Sequence, residues 1–172
     1  MKFHHLEAVA HVPSTLGRIV LAASHTGLAG LWFDGQQHFP ASLDALPRVA
    51  ASSHPVLRDA AAQLAAYFAG QCSEFDLPLD LSGGTAFQQS VWQALLAIGT
   101  GDTTSYAEVA ARIGNPAAVR AVGAAIGRNP VSIVVPCHRV IGSSGALTGY
   151  AGGLARKTAL LKLEHTERRA LV

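Results

Sequence analysis

Apolar positions come in short runs over the first third of the chain and then fall into a helical period. Val9-Ala10-His11-Val12, Gly17-Arg18-Ile19-Val20-Leu21-Ala22 and Leu28-Ala29-Gly30-Leu31-Trp32-Phe33 are punctuated by Gly, Pro and Ser, which predicts a small antiparallel sheet. Val56, Leu57, Ala60, Ala61, Leu64, Tyr67 and Phe68 share one helical face and predict a helix over 54–69, ending at Gly70. The stretch containing Pro78 and Ser82-Gly83-Gly84 reads as a linker. Thr85-Ala86-Phe87-Gln88 is a capping box that opens a helix along Phe87, Val91, Leu95 and Ile98. Ser105-Tyr106-Ala107-Glu108 is a second box, and its helix stops at Gly114. Asn115-Pro116 predicts a third helix over 117–127, and a last helix runs from Leu154 to Leu163, ending near Glu164. Val131-Ser132-Ile133-Val134-Val135 reads as a buried strand.

The fold class that follows is an α/β N-terminal lobe over 1–84, a small antiparallel sheet plus a helix, joined to a mainly α C-terminal lobe over 85–172. The second and third helices of that lobe, joined by a tight turn, fit a helix-turn-helix; an ordinary pair of core helices fits the same pattern. There are no internal repeats.

Composition narrows the class. A chain of 172 residues, 49% hydrophobic and 14% charged, suits a globular core and argues against disorder. No window holds about 18 uninterrupted apolar residues, so no membrane span is expected. Met1-Lys2-Phe3-His4-His5-Leu6 lacks the apolar core of a signal peptide. The two cysteines, Cys72 and Cys137, are read as reduced thiols in the cytoplasm. Charge is divided unevenly. Residues 1–84 carry four basic against seven acidic side chains, and residues 85–172 carry nine against four. A basic C-terminal half is compatible with a polyanionic partner, although such imbalance also arises by chance.

The third helix limits what that partner could be. Reading bases in the major groove takes long polar side chains, and between Ala117 and Ile126 only Arg120 is one. So smooth a helix argues against a sequence-specific regulator. It permits close approach to a backbone or narrow groove, with Arg120 as a wedge where a base has left the stack. Small residues would equally serve tight helix packing.

The strongest chemical signal is Pro136-Cys137-His138-Arg139-Val140. A thiol becomes a nucleophile as the thiolate, an imidazole can take its proton, and a carboxylate can fix the imidazole tautomer. Neighbours on an extended strand face opposite ways, so the chain must turn at Cys137 for the two to cooperate. Glu164 is the expected third member, because a carboxylate at a helix C-terminus is disfavoured without a partner. Taken singly, Cys137 could be a small buried hydrophobe, His138 a satisfied core histidine and Glu164 a solvated helix end.

Phe87-Gln88-Gln89-Ser90-Val91-Trp92, Thr104-Ser105-Tyr106, Asn115-Pro116, Arg120-Ala121-Val122-Gly123, Arg128-Asn129-Pro130, Pro136-Cys137-His138-Arg139-Val140-Ile141 and Gly149-Tyr150-Ala151-Gly152-Gly153 together resemble the O6-alkylguanine-DNA alkyltransferases. The resemblance covers residues 85–164 in order and spacing; the first 84 residues match in layout. It implies a ribonuclease H-like N-terminal lobe and a winged-helix-like helix-turn-helix. It implies binding of duplex DNA through the minor groove with little sequence preference, by a monomer without cofactor. A damaged guanine is flipped out, and its O6-alkyl group, or the O4-alkyl group of thymine, passes irreversibly to Cys137. By the same resemblance His138 is the base through a water, Glu164 its orienter, and Asn129 the link from the recognition helix to the thiol. Tyr106 donates to the departing guanine and crowds the target phosphate, and Arg120 fills the gap in the stack. Asn115, Ala118, Ala121, Gly123, Arg128 and Ser143 fall at DNA-contacting positions. Ile126, the Val140 carbonyl, Tyr150, the Ala151 N–H and Gly152 form the base pocket, with Gly152 leaving room for larger alkyl groups.

Position 151 is Ala where some relatives carry Ser, which removes a side-chain contact and keeps the backbone donor. Some relatives hold a structural zinc with N-terminal Cys and His. This chain has no Cys before Cys72, and His4, His5, His11 and His25 make no convincing ligand set, so no metal is expected. A non-catalytic sensor of alkylated guanine and a cysteine hydrolase using Cys137 and His138 are the competing readings.

Overall fold

The computed structural model describes residues 6–170. His4 and His5 lie outside the described residues. Strands β1 (Leu6–Val12), β2 (Ile19–Ser24) and β3 (Leu28–Phe33) form an antiparallel sheet in the order β1-β2-β3. β2 and β3 are buried at every position because both faces of the sheet are covered. Ile19, Leu21, Leu31 and Phe33 face the main core, while Val20, Ala22 and Trp32 pack with Leu43 in a smaller cluster on the other face. Helix α1 (Pro55–Phe68) lies on the main-core side, burying Leu57, Ala60, Leu64 and Tyr67. It stops before Gly70, whose φ of +69° suits glycine.

Residues 70–84 are fastened to the sheet rather than hanging between lobes. Leu28 N–H donates to Pro78 O at 2.7 Å, and Asp80 N–H donates to Leu28 O at 3.0 Å. A side chain at Gly27 would overlap the Pro78 carbonyl, so close approach dictates glycine there. Asp80 accepts from Ser24 Oγ at 2.6 Å and from Ser82 N–H at 3.0 Å.

Both capping boxes form. Thr85 opens α2 (Ala86–Leu96) and Ser105 opens α3 (Tyr106–Arg112), each with its reciprocal side-chain bond to Gln88 or Glu108. Trp92 of α2 is fully buried and donates through Nε1 to Ala125 O at 2.9 Å, joining α2 to the third helix of the lobe. That helix, α4, covers Val119–Gly127 and not 117–127. Pro116–Ala118 instead form a 3-10 turn, and the Asn115 side chain makes no capping hydrogen bond. The tighter i+3 bond, Ala118 N–H to Asn115 O at 3.0 Å, replaces the expected cap. The α3–α4 turn passes through Gly114 at φ +73°. Short strands β4 (Thr104–Ser105) and β5 (Val140–Ile141) pair in parallel beside it.

Two further expectations are corrected. Residues 131–135 are not a strand: Val131 makes one bridge to Leu31, and the chain then turns through Ile133 at φ +72°. The turn is closed by Val135 N–H on Val131 O at 2.9 Å, and the Asn129 side chain braces it, with its Oδ1 accepting from Val131 N–H at 3.0 Å and its Nδ2 donating to Val135 O at 2.8 Å. Helix α5 (Leu154–Ala170) does not end at Glu164 but continues past it. The helix-terminus argument for Glu164 therefore fails, and its partners must be sought elsewhere.

One apolar core joins the sheet, α1 and the helical lobe, from Leu21 and Leu64 through Trp92 and Val135 to Leu160. The Asp80 junction stitches its outer edge. Partial burial pushes the Asp80 carboxyl up, but hydrogen bonds from Ser24, Ser82 and Thr26 outweigh this and hold it at about 2. Its contribution is complete above the ordinary carboxylate value and is lost as pH falls towards 2. Asp80→Asn should lower the thermal midpoint at pH 6, and the gap from the parent should close between about pH 4 and pH 2. Thermal denaturation across that range, monitored by circular dichroism, checks this.

Candidate active site

The turn that cooperation between Cys137 and His138 requires is present. Pro136 precedes a single 3-10 turn over Cys137–Arg139, so neither residue sits on an extended strand. Every residue from Asn129 to Val140 is buried. Cys137 is 5% exposed, and its Sγ accepts from Asn129 Nδ2 at 3.1 Å. The amide orientation of Asn129 is fixed by the Val131 N–H on its oxygen, which leaves the nitrogen for the thiol.

His138 is fully buried and turns its Nε2 towards Glu164 Oε1 at 2.7 Å. Glu164, also fully buried, accepts from three residues. Arg139 grips it two-pronged, Nε to Oε2 and Nη2 to Oε1, both at 2.9 Å. Tyr67 Oη donates to Oε1 at 2.8 Å from α1 of the first lobe. Arg139 is anchored in turn by Ile98 O and by Thr100 Oγ1 at 3.1 Å. Burial pushes the Glu164 carboxyl up, but the bonds from His138 and Arg139 prevail and hold it far below the usual carboxylate range. An ionised carboxylate only accepts, so Nε2 of His138 carries the proton. Burial pushes the imidazole pKa down against the pull of Glu164, so His138 is neutral at pH 7. The remaining ring nitrogen, Nδ1, therefore holds a basic lone pair; it is buried and bonded to no protein group.

Burial raises the Cys137 thiol above its ordinary value of 9.0, and the Asn129 bond and the Lys157 charge offset this only in part. The resting group is therefore a thiol. Lys157 is fully buried in α5, and its Nζ donates to Val140 O at 2.6 Å and Thr148 O at 2.8 Å. It ties the segment after Cys137 to the loop that follows. The Val140 carbonyl, expected to face a base edge, is thus already engaged on one lone pair.

The structure brings Cys137, His138, Asn129 and Glu164 into one buried region, Asn129 bonded to Cys137 and Glu164 to His138. Tyr106 lies apart from it at the start of α3, its Oη donating to Thr148 O at 3.2 Å and its ring 3.7 Å from where a Cβ on Gly123 would lie. Asn115, Arg120, Ala121, Arg128 and Ser143 are exposed, whereas Ala118 and Gly123 are half-buried. Ile126 is buried in the core. The Tyr150 hydroxyl is buried with no partner in hydrogen-bonding geometry. At Gly152 a Cβ would lie 2.6 Å from Tyr150 Cε1 and 3.1 Å from Phe33 Cδ2. Glycine there is demanded by packing.

Three residues of the network were not anticipated: Tyr67, Arg139 and Lys157. Lys157, Leu160, Leu161 and Glu164 recur on one face of α5, so the inward lysine was visible as a charge in an apolar stripe. Arg139 lay inside the quoted motif. Tyr67 carried no signal, since a core tyrosine on an amphipathic helix needs no other reason.

Two family models match the chain. Residues 86–166 match the DNA binding domain of 6-O-methylguanine DNA methyltransferase, and residues 9–81 match its ribonuclease-like domain. The methylated-DNA–protein-cysteine methyltransferase of Mycobacterium leprae is 50% identical over 151 residues, 88% of each chain. That of Methanosarcina barkeri is 47% identical over 92% of this chain and 97% of its own. Among solved structures, that of Mycobacterium tuberculosis OGT in complex with DNA superposes with a TM-score of 0.83 at 47% identity, covering 93% of this chain and 94% of the other.

Removing either partner of a buried ion pair strands the other. Glu164→Gln should cost about 3–5 kcal/mol by leaving Arg139 uncompensated, whereas Tyr67→Phe, which removes one hydrogen bond, should cost about 1–2 kcal/mol. Urea denaturation of the two variants measures the difference. Because the thiol is raised, iodoacetamide modification of Cys137 should still be climbing above pH 9.0, and a plateau near neutrality would contradict a protonated resting thiol.

Proposed function

The chain belongs to the 6-O-methylguanine DNA methyltransferase family, and from that premise we propose that Cys137 takes the O6-alkyl group of guanine in duplex DNA in a single, irreversible transfer. The observation that carries the assignment is the buried Cys137–His138–Glu164 arrangement, with one basic nitrogen left over at His138 Nδ1. In this reading the Cys137 proton passes to Nδ1 through one water. The Glu164–Arg139 pair supports the imidazolium that forms. The thiolate attacks the alkyl carbon, a carbon–sulfur bond forms, and the carbon–oxygen bond to guanine breaks with its electrons on O6. Tyr106 supplies a proton to the departing base. The product is a thioether and repaired guanine. No group in the site can hydrolyse a thioether, so each molecule acts once.

DNA is the partner, and the reading places it on the face formed by α3, α4 and the loop through Ser143. A base 180° out of the stack leaves a gap that the exposed Arg120 would fill, while Ala118, Ala121 and Gly123 allow close approach to the minor groove. Asn115 and Arg128 would contact the backbone, and Ile126, Val140, Tyr150, Ala151 and Gly152 would receive the base. The same pocket would also accept O4-alkylthymine. The protein acts as a monomer in the cytoplasm, where Cys137 stays reduced. Among the described residues no helix is long and apolar enough to cross a membrane.

Intact-mass analysis after incubation with a duplex containing O6-methylguanine tests the assignment. One methyl per protein molecule should appear, on the Cys137 peptide alone, and Cys137→Ser should gain none while retaining affinity for the duplex. Active, reduced protein that gains no methyl would sink the proposal, and repeated turnover of an ester would point to a hydrolase.

A further inference from the structure

The loop over residues 150–153 rests on the first lobe at three points. Gln37 N–H donates to Ala151 O at 3.0 Å. The Phe33 ring fills the space beside Gly152, 3.1 Å from where its Cβ would be. Arg156, in the first turn of α5, spans the join: its Nη1 donates to Gly152 O at 3.0 Å and its Nε to Leu16 O at 2.9 Å. Its guanidinium carbon lies 4.6 Å from the centroid of the Phe33 ring. One planar cation thus holds a carbonyl on each lobe and covers the ring between them. The hairpin turn comes close enough because residue 17 is glycine at φ +109°, where a Cβ would lie 3.2 Å from Arg156 Nη2.

These contacts have a directional consequence. In a trans peptide the N–H points opposite to the C=O. Tyr150 O is taken by Gly153 N–H at 2.9 Å and Ala151 O by Gln37. The plane carrying the Ala151 N–H is thus set by the Tyr150–Gly153 turn, and that turn is held in place by Gln37 on Ala151 O and Arg156 on Gly152 O. We infer that Arg156 is a positioning residue for base recognition: it clamps loop 150–153 against β3 and the β1–β2 turn, so that the Ala151 amide is oriented before the base arrives. The inference rests on the reading of this loop as the cradle of the flipped guanine. It gives the first lobe a part in substrate recognition, as the rear wall of the base pocket. Arginine suits the position because two carbonyls and a ring face are met by one rigid fork, which lysine cannot reproduce. Without the clamp the loop would order only on binding, and that entropy would be charged against affinity for the base.

Full-length Arg156→Leu and Arg156→Lys, compared with the parent, test this by three readouts. These are the saturation curve for transfer from free O6-methylguanine, transfer from duplex, and iodoacetamide modification of Cys137. The leucine variant should raise the half-saturating concentration of the free base by about tenfold, the worth of a charge-assisted hydrogen bond. The lysine variant should raise it less, and it carries the test should the leucine variant not fold. The limiting rate and the iodoacetamide reaction should stay at parental values, and duplex transfer should fall with base affinity. An unchanged half-saturating concentration in folded variants overturns the inference. So does a parallel fall in iodoacetamide reactivity, which would mean general loosening around Cys137. If the parent itself accepts no alkyl group, the proposed function fails and takes this inference with it; a working parent with indifferent variants overturns this inference alone.

Discussion

Glu164 is a carboxylate with no access to solvent, and it stays ionised because Arg139, His138 and Tyr67 supply every bond that water would have made. The rest of the site follows from that fact. An ionised Glu164 puts the His138 proton on Nε2, which leaves Nδ1 basic. Burial outweighs the pull of Glu164 on the imidazole, so His138 beside the Arg139–Glu164 pair is also neutral. Arg139 in turn holds Ile98 and Thr100, which ties the end of α2 to the reactive segment. A single buried charge thereby organises residues from α1, the segment after α2, the Cys137 turn and α5.

The punctuated apolar runs, the helical periods and the capping residues predicted the small antiparallel sheet, α1, both capping boxes and the α3–α4 pair because each depends on local patterning alone. The predictions that missed depended on tertiary partners. Residues 131–135 have the composition of a buried strand, but the chain turns there on its own Val135–Val131 bond, braced by the Asn129 side chain, and no periodicity shows such a turn. Glu164 was picked out for a reason that does not hold, since α5 runs on beyond it; its real warrant is Arg139, Tyr67 and His138. Tyr67 lies 97 positions from Glu164 in sequence, and nothing local marks that pairing. The motif around Cys137 was legible since its chemistry is packed into consecutive residues.

The two lobes are coupled at different depths. At the centre, Tyr67 reaches Glu164 and the apolar core runs without a break from the sheet to α5. At the rim, Arg156 joins the β1–β2 turn to the loop after Tyr150. Lys157, the next residue along α5, faces inward to Val140 and Thr148. Adjacent cations on one helix therefore hold the two sides of the loop over residues 148–153.

The burial of the Glu164 network also separates what salt can reach from what it cannot. Exposed cations such as Arg120 and Arg128 stand in solvent, where mobile ions screen charge within about 8 Å at physiological ionic strength. The pair behind His138 has no mobile ions between its members. Raising ionic strength should thus weaken the encounter with DNA while leaving the intrinsic rate at Cys137 almost untouched, so that docking and chemistry answer to different properties of the medium.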